Sequence, residues 1–373
     1  MTRRRGLTQF VAPALLLIAV GIVGGLTSAG TQEDITSVLI SATMVIALYV
    51  FIGNSGVISF GQISFVALGA FAAGLMTIPS AVKPTVLPNL FPFLADHSVG
   101  SFESLFLAAG LGALFAFLAG VPLMRLSGLA AGIATFAVLE ITHNVLRFWD
   151  KIGPGAQTLA LVPEDVGPYE AMLGALFAAT VAFLYQRSRS GRLLRAARED
   201  PAAAQAVGVN IHRHRLVAFT ISGALAGLAG GLLVHQIGSI TTEQVYLELT
   251  FLTLAMLVVG GMGSLWGAVV GAVLVSFLDI FLVDAEGGVG VGPLDVDLPS
   301  GASLVILGAL MASMLIFRPA GITGGRELTL RLPRLGGRGP GEQPDEREAA
   351  ADQPQPEQAL APGTRSETPR SET

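Results

Sequence analysis

Ile35 to Gly53 reads ITSVLISATMVIALYVFIG and contains no charged residue. A hydrocarbon core about 30 Å thick is crossed by about 20 apolar residues in a helix. No water is available there, so every backbone N–H and C=O must be satisfied within protein, and a segment this long and apolar can only be helical, not an open strand. This stretch therefore sets the fold class.

The pattern recurs on both sides. Apolar spans lie at 9 to 29, 35 to 53, 56 to 77, 104 to 122, 126 to 148, 168 to 185, 216 to 234, 249 to 262, 264 to 283 and 301 to 318. About ten spans make the chain an all-α, polytopic transmembrane helix bundle. Its 373 residues are 52% hydrophobic and 13% charged, whereas a soluble domain carries about a quarter charged residues. With no cysteine in the sequence, disulfides, thiolate zinc sites and cysteine nucleophiles are excluded.

Charge placement gives an orientation. If the N-terminus is cytoplasmic, Arg3, Arg4, Arg5, Arg125, the cluster Arg187 to Arg215 and every arginine of the tail lie inside, leaving Lys83, Arg147 and Lys151 outside. That is the bias of the positive-inside rule, and an even span count returns the C-terminus to the cytoplasm. Residues 3 to 29 also share features with a signal peptide, ending in Thr27-Ser28-Ala29. Their apolar run exceeds the usual length of about 7–15 residues, so they are read as a first span.

Three segments break the apolar pattern. The tail from Gly324 to Thr373 is rich in Pro, Gly, Glu, Gln and Arg, a composition that cannot offset the entropy of ordering, and it is expected to be disordered in the cytoplasm. The outer loops Pro79 to Glu103 and Asp284 to Pro299 read as turn-rich, solvated connections. They lie on the side where an extracytoplasmic partner would dock, but nothing in them specifies chemistry. Small residues four apart, Gly128/Gly132 and Gly267/Gly271, together with Gly223, Gly227, Gly230 and Gly231, predict close helix contacts.

The third segment, RSRSGRLLRAAREDPAAAQAVGVNIHRHR from Arg187 to Arg215, encodes two short helices. Over Gly191 to Glu199, Leu193, Leu194, Ala196 and Ala197 oppose Arg192, Arg195 and Arg198. Asp200 is a good N-cap with Pro201 at the first helical position. The second helix, Pro201 to Val207, ends at Gly208, a natural left-handed stop. Such an element presents a surface to the cytoplasm, although a basic inner loop also serves simply to fix topology.

Two polar clusters interrupt the spans. Asn54, Ser55, Ser59 and Gln62 form one, with Ser59 and Gln62 on one helix face. Glu140, His143, Asn144 and Arg147 form the other, on one stripe of the fifth span. Glu140 sits about 13 Å from Trp149 near the outer end and is deep enough to need a partner; an ion pair with Arg147 or a bond from His143 would supply one structurally. Asp279 reads as a satisfied outer-end residue.

There is no Gly-x-x-x-x-Gly-Lys-Ser/Thr phosphate loop, so any ATP hydrolysis must come from another chain. Gly260-Gly261-Met262-Gly263 follows no strand and reads as packing or turn. His97, His143, His212, His214 and His235 are scattered, which gives no metal site. The basic loop is short and lacks interleaved aromatics, which gives no nucleic-acid surface. A self-sufficient secondary transporter would show inverted repeats and ion-coupled intramembrane charges; an embedded enzyme would show converging reactive groups. No repeat is evident, and Glu140 with His143 is a weak pair.

Several segments together resemble a known family. GRLLRAARED, AxxxGV, LVAFTISGALAGLAGGL and VVGGMGSLWGAVVGA between Ser190 and Gly271, NSGVISFGQISFVALGAFAAG (Asn54 to Gly74) and RLSGLAAGIATFAVLEI (Arg125 to Ile141) resemble, in order and spacing, the LivM-type permeases of branched-chain amino acid ABC importers. The likeness covers about residues 35 to 318. It implies a bacterial plasma-membrane permease domain over 9 to 323, behind a basic N-terminus of residues 1 to 8, and no enzymatic activity in this chain.

It also implies a coupling loop at 186 to 215, with Glu199, Ala203 and Gly208 at its heart and Arg192, Arg195, Arg198 and Asp200 as further contacts to the ATPase. The usual Ile-x-Leu-Pro end of the coupling motif is absent. The implied assembly adds a LivH-type permease, two ATPases of LivG and LivF type that bind ATP and Mg, an extracytoplasmic substrate-binding protein, and lipid. The implied substrates are leucine, isoleucine and valine, with urea, short amides or other amino acids as alternatives, and Asn54, Ser59, Gln62, Glu140 and Asn144 are the pathway candidates.

Overall fold

The computed structural model describes residues 2–287 and, beyond them, 289–291, 294–296, 299, 301–318, 320–325 and 327. Helices α1 (Thr2–Gly25), α2 (Ala29–Ser55) and α3 (Gln62–Thr77) lead into a loop with two short helices, α4 (Lys83–Val86) and α5 (Pro92–Asp96). Then come α6 (Ser101–Leu123), α7 (Gly128–Phe148), α8 (Pro168–Arg187), α9 (Arg189–Glu199), α10 (Pro201–Ala206), α11 (Ile211–Ile237), α12 (Leu247–Gly260) and α13 (Leu265–Glu286). An antiparallel hairpin, β1 (Val289–Val291) and β2 (Leu294–Val296), precedes α14 (Ala302–Phe317). Six helices, α2, α6, α7, α8, α11 and α13, are long and apolar enough to cross a membrane, and α3, α12, α14 and Gln9–Gly25 of α1 are shorter apolar helices. Each span read from the sequence thus contains a helix.

The core is built around α2. A helix apolar on all sides has no face to give to water or lipid, and α2 is buried at every residue from Ala42 to Ser55. Against it lies α11, which also packs on α3 and α6. α1 lies along α8 and α2, with Leu17 fully buried and the Phe10 and Phe183 rings 5.1 Å apart.

Glycine sets the helix spacing, as expected for membrane helices, where small residues let backbones approach. A Cβ on Gly227 would run into the Ala108 carbonyl, and one on Gly69 would stand 2.6 Å from Gly227 Cα. At the α12–α13 crossing, a Cβ on Gly267 would be 2.6 Å from the Gly261 carbonyl and one on Gly271 would be 2.6 Å from Gly260 Cα. The expected Gly128/Gly132 contact is not made. Gly128 opens α7 with φ +58° and meets nothing within 4 Å, while Gly132 has ordinary contacts at 3.6 Å. The spacing is therefore present, but no helix crosses there.

The loops at 79–103 and 284–299 have more structure than expected. Lys83 is fully buried, and its Nζ donates to the Leu94 carbonyl at 2.9 Å and to the His97 carbonyl; burial lowers its pKa. It anchors the loop between α3 and α6, and the loop before α14 holds the β1–β2 hairpin.

The expected start of the tail at Gly324 falls inside a folded return. Ile322 N–H donates to the Val259 carbonyl at 2.8 Å and Thr323 Oγ1 to the Gly260 carbonyl at 2.8 Å. Glu327 accepts from the amides of Leu265 at 2.9 Å and Trp266 at 3.3 Å. A carboxylate there suits the positive end of α13, although burial pushes its pKa up against those bonds. Residues 328–373, the rest of the expected tail, lie outside the described residues.

Candidate translocation and coupling sites

The expected helical span 56 to 77 is broken at its start. Gly56, in the left-handed region at φ 70°, ends α2, and helix does not resume until Gln62. The intervening backbone passes beside α7: Phe60 N–H donates to Thr135 Oγ1 at 3.2 Å, and a Cβ on Gly61 would be 2.6 Å from the Thr135 carbonyl. Non-helical backbone within a membrane protein is tolerated where protein surrounds it or where it lines a cavity.

Asn54, Ser59, Gln62 and Ser64 are each at most 1% exposed. Asn54 Nδ2 donates to the Val50 carbonyl at 2.9 Å, but Asn54 Oδ1, Ser59 Oγ, both amide atoms of Gln62 and Ser64 Oγ have no partner. These are five of the nine unpartnered buried side-chain atoms among the described residues. A buried polar atom left unmatched costs about 1–3 kcal/mol, and buried polar groups are otherwise nearly always paired. The sequence marked Asn54, Ser59 and Gln62; Ser64 lies on the first turn of α3 and was missed.

The second cluster is divided. Glu140 accepts from Asn144 Nδ2 at 2.7 Å and from the Tyr246 hydroxyl, and that bond pushes the Tyr246 phenol up to about 12, so it remains a donor at neutral pH. The expected partners of Glu140 lie elsewhere. Arg147 bonds Glu243 at 2.5 Å, while His143 is 3.7 Å from Glu243 and stacks on Tyr246 with centroids 3.8 Å apart. Both Glu243 and Tyr246 come from the loop before α12, and only the tertiary fold brings them to α7.

At the end bearing residues 187 to 215, both short helices form, α9 and α10, fastened by three caps. Ser188 accepts from Gly191 N–H at 3.1 Å, Asp200 from Ala203 N–H at 3.0 Å and Asn210 from Arg213 N–H at 3.1 Å. Gly208, at φ +83°, ends the hairpin. Arg192, Glu199, Asp200, Ala203 and Gly208 are exposed, and Val207 is 80% exposed at the tip; Ala197, Ala204 and Ile211 pack beneath.

Of the other two arginines, Arg198 is exposed and Arg195 half-buried, and each also bonds a carbonyl of the bundle. Arg195 donates to the Gln186 carbonyl at 2.5 Å and Arg198 to the Gly53 carbonyl at 2.8 Å. A Cβ on Gly56 would lie 2.8 Å from Arg198 Cγ. Long arginine side chains can reach across helix ends to free carbonyls, so the hairpin is joined directly to the α2–α3 break.

A family model described as "Branched-chain amino acid transport system / permease component" matches residues 30–315. The chain belongs to that family. It is 27% identical over 348 residues to the high-affinity branched-chain amino acid transport system permease protein LivM of Escherichia coli K12, covering 83% of this chain and 73% of that one. It is 26% identical over 287 residues to a probable branched-chain amino acid transport permease protein, LivH, of Methanocaldococcus jannaschii, covering 73% and 84%. An autoinducer 2 import system permease, LsrC, of an Enterobacter species is 29% identical over 192 residues, covering 48% and 55%. The chain is a multi-pass membrane permease of the ABC-transporter type, and the family's members are transport subunits.

Proposed function

We propose that this permease imports branched-chain amino acids, pairs with a second, LivH-type permease, and is driven by two separate ATPases that bind ATP and Mg. The reading rests chiefly on likeness to LivM over most of the chain. In it, an extracytoplasmic binding protein delivers substrate to the Glu140 and Tyr246 end. The α9–α10 hairpin meets an ATPase in the cytoplasm through Arg192, Arg195, Arg198, Glu199, Asp200, Ala203 and Gly208, and both termini are cytoplasmic. Asn54, Ser59, Gln62, Glu140 and Asn144 line the path.

The test is reconstitution of the permease with its companion subunits and binding protein in liposomes. Uptake of radiolabelled L-leucine that requires internal ATP is expected. Uptake of a sugar or of autoinducer 2 in place of amino acids would overturn the substrate assignment, and the relation to LsrC makes that comparison necessary.

Glu140→Gln retains shape but replaces a charged acceptor with a neutral one. Hydrogen bonds to a charged acceptor are stronger than those to a neutral one, so uptake in the same assay should fall severalfold with the complex intact. Normal uptake would remove Glu140 from the mechanism.

A further inference from the structure

The α2–α3 break has a polar inventory with a direction. Gln62, the first residue of α3, and Ser64 on the same turn carry unpartnered groups at a helix N-terminus that no side chain caps. Ser59 Oγ, just before the Gly61 cap, is likewise buried and unpartnered. Helix N-termini present amide donors and partial positive charge to anions. Asn54 Oδ1, on the α2 side of the break, is an unpartnered acceptor. Nothing from Asn54 to Ser64 is charged, so no fixed countercharge within the segment would trap an ion, and the Arg198 guanidinium is held by the Gly53 carbonyl at 2.8 Å.

We propose that the break between α2 and α3 recognises the zwitterionic backbone of an amino acid in transit, its carboxylate held by the α3 N-terminus with Ser59, Gln62 and Ser64 and its ammonium by Asn54 Oδ1. This rests on the amino-acid reading above and gives that path a point of chemical recognition. Donors meet the carboxylate and an acceptor meets the ammonium. The apolar side chain then plays no part in recognition here, which leaves discrimination among leucine, isoleucine and valine to the binding protein. Discontinuous membrane helices use their half-helix N-termini on anionic substrate groups in this way.

The test uses the reconstituted complex with saturating leucine-loaded binding protein and reads the initial rate of ATP-dependent L-leucine uptake. Gln62→Leu should lower it at least tenfold. Gln62→Glu, nearly isosteric but placing a second carboxylate at the α3 N-terminus, should lower it further. Uptake at the wild-type rate through Gln62→Glu overturns the proposal. Should the Gln62 variants fail to assemble with the ATPases, Ser59→Ala and Ser64→Ala, each lacking one oxygen atom, decide instead: a loss of threefold or more in both supports the site, and unchanged rates overturn it. A wild-type complex that imports a sugar and no amino acid overturns the substrate assignment as well, whereas leucine import indifferent to position 62 overturns this inference alone.

Discussion

Arg198→Ala is expected to leave the ATPase attached and hydrolysing while import falls tenfold to a hundredfold. Arg198 belongs to α9, yet it bonds the Gly53 carbonyl at 2.8 Å, one residue before Asn54. In the proposed mechanism this bond would carry movement of the hairpin to the end of α2, where the helix breaks at Gly56 and the unpartnered groups begin. A hydrogen bond from a charged donor contributes about 1.5–3 kcal/mol, or roughly one to two powers of ten in an equilibrium it biases. Arg198→Lys keeps the charge on a shorter reach with no planar fork and should recover part of the rate. The check is the ratio of leucine imported to ATP hydrolysed in liposomes; an unchanged ratio in Arg198→Ala would remove this link from the mechanism.

Gly227→Leu should abolish recovery of folded permease from the membrane. At this residue α11 meets two neighbours at once: a Cβ would strike the Ala108 carbonyl in α6, and Gly69 of α3 approaches from the other side. These are backbone atoms, which cannot swing aside as a side chain can. Overpacking costs about 1–3 kcal/mol even where rotamers can adjust, and here three helices of the core would have to separate. Gly128→Asn provides the contrast, since Gly128 has open space around it and asparagine tolerates its left-handed backbone. Monodisperse protein on size-exclusion chromatography should be lost for Gly227→Leu and retained for Gly128→Asn; equal recovery would contradict the packing described.

The sequence made the spans legible because length and unbroken apolarity have one solution in lipid. The hairpin was legible because caps are local: Asp200-Pro201 and Gly208 state where a helix starts and stops. The α2–α3 break was hidden because Val57, Ile58 and Phe60 continue the apolar run, with only Gly56 and Gly61 as punctuation. The tertiary partners of the α7 cluster were hidden for a different reason, since Tyr246 lies 106 positions from Glu140 and Glu243 lies 96 from Arg147 along the chain, and i, i+4 spacing can identify a shared face but not the loop that closes over it. The same limit applies to arginine: amphipathicity placed Arg195 and Arg198 on the basic face of α9, but a long side chain on that face can still turn back to a carbonyl of its own bundle.

That this permease is moved by a separate nucleotide-hydrolysing protein gripping the α9–α10 hairpin is tested most directly by co-purification. The intact permease, isolated in mild detergent, should carry an ATPase with it, and replacing residues 190 to 212 with a glycine–serine linker of equal length should release that ATPase while the second permease stays bound. An ATPase retained in full after the replacement would contradict the account.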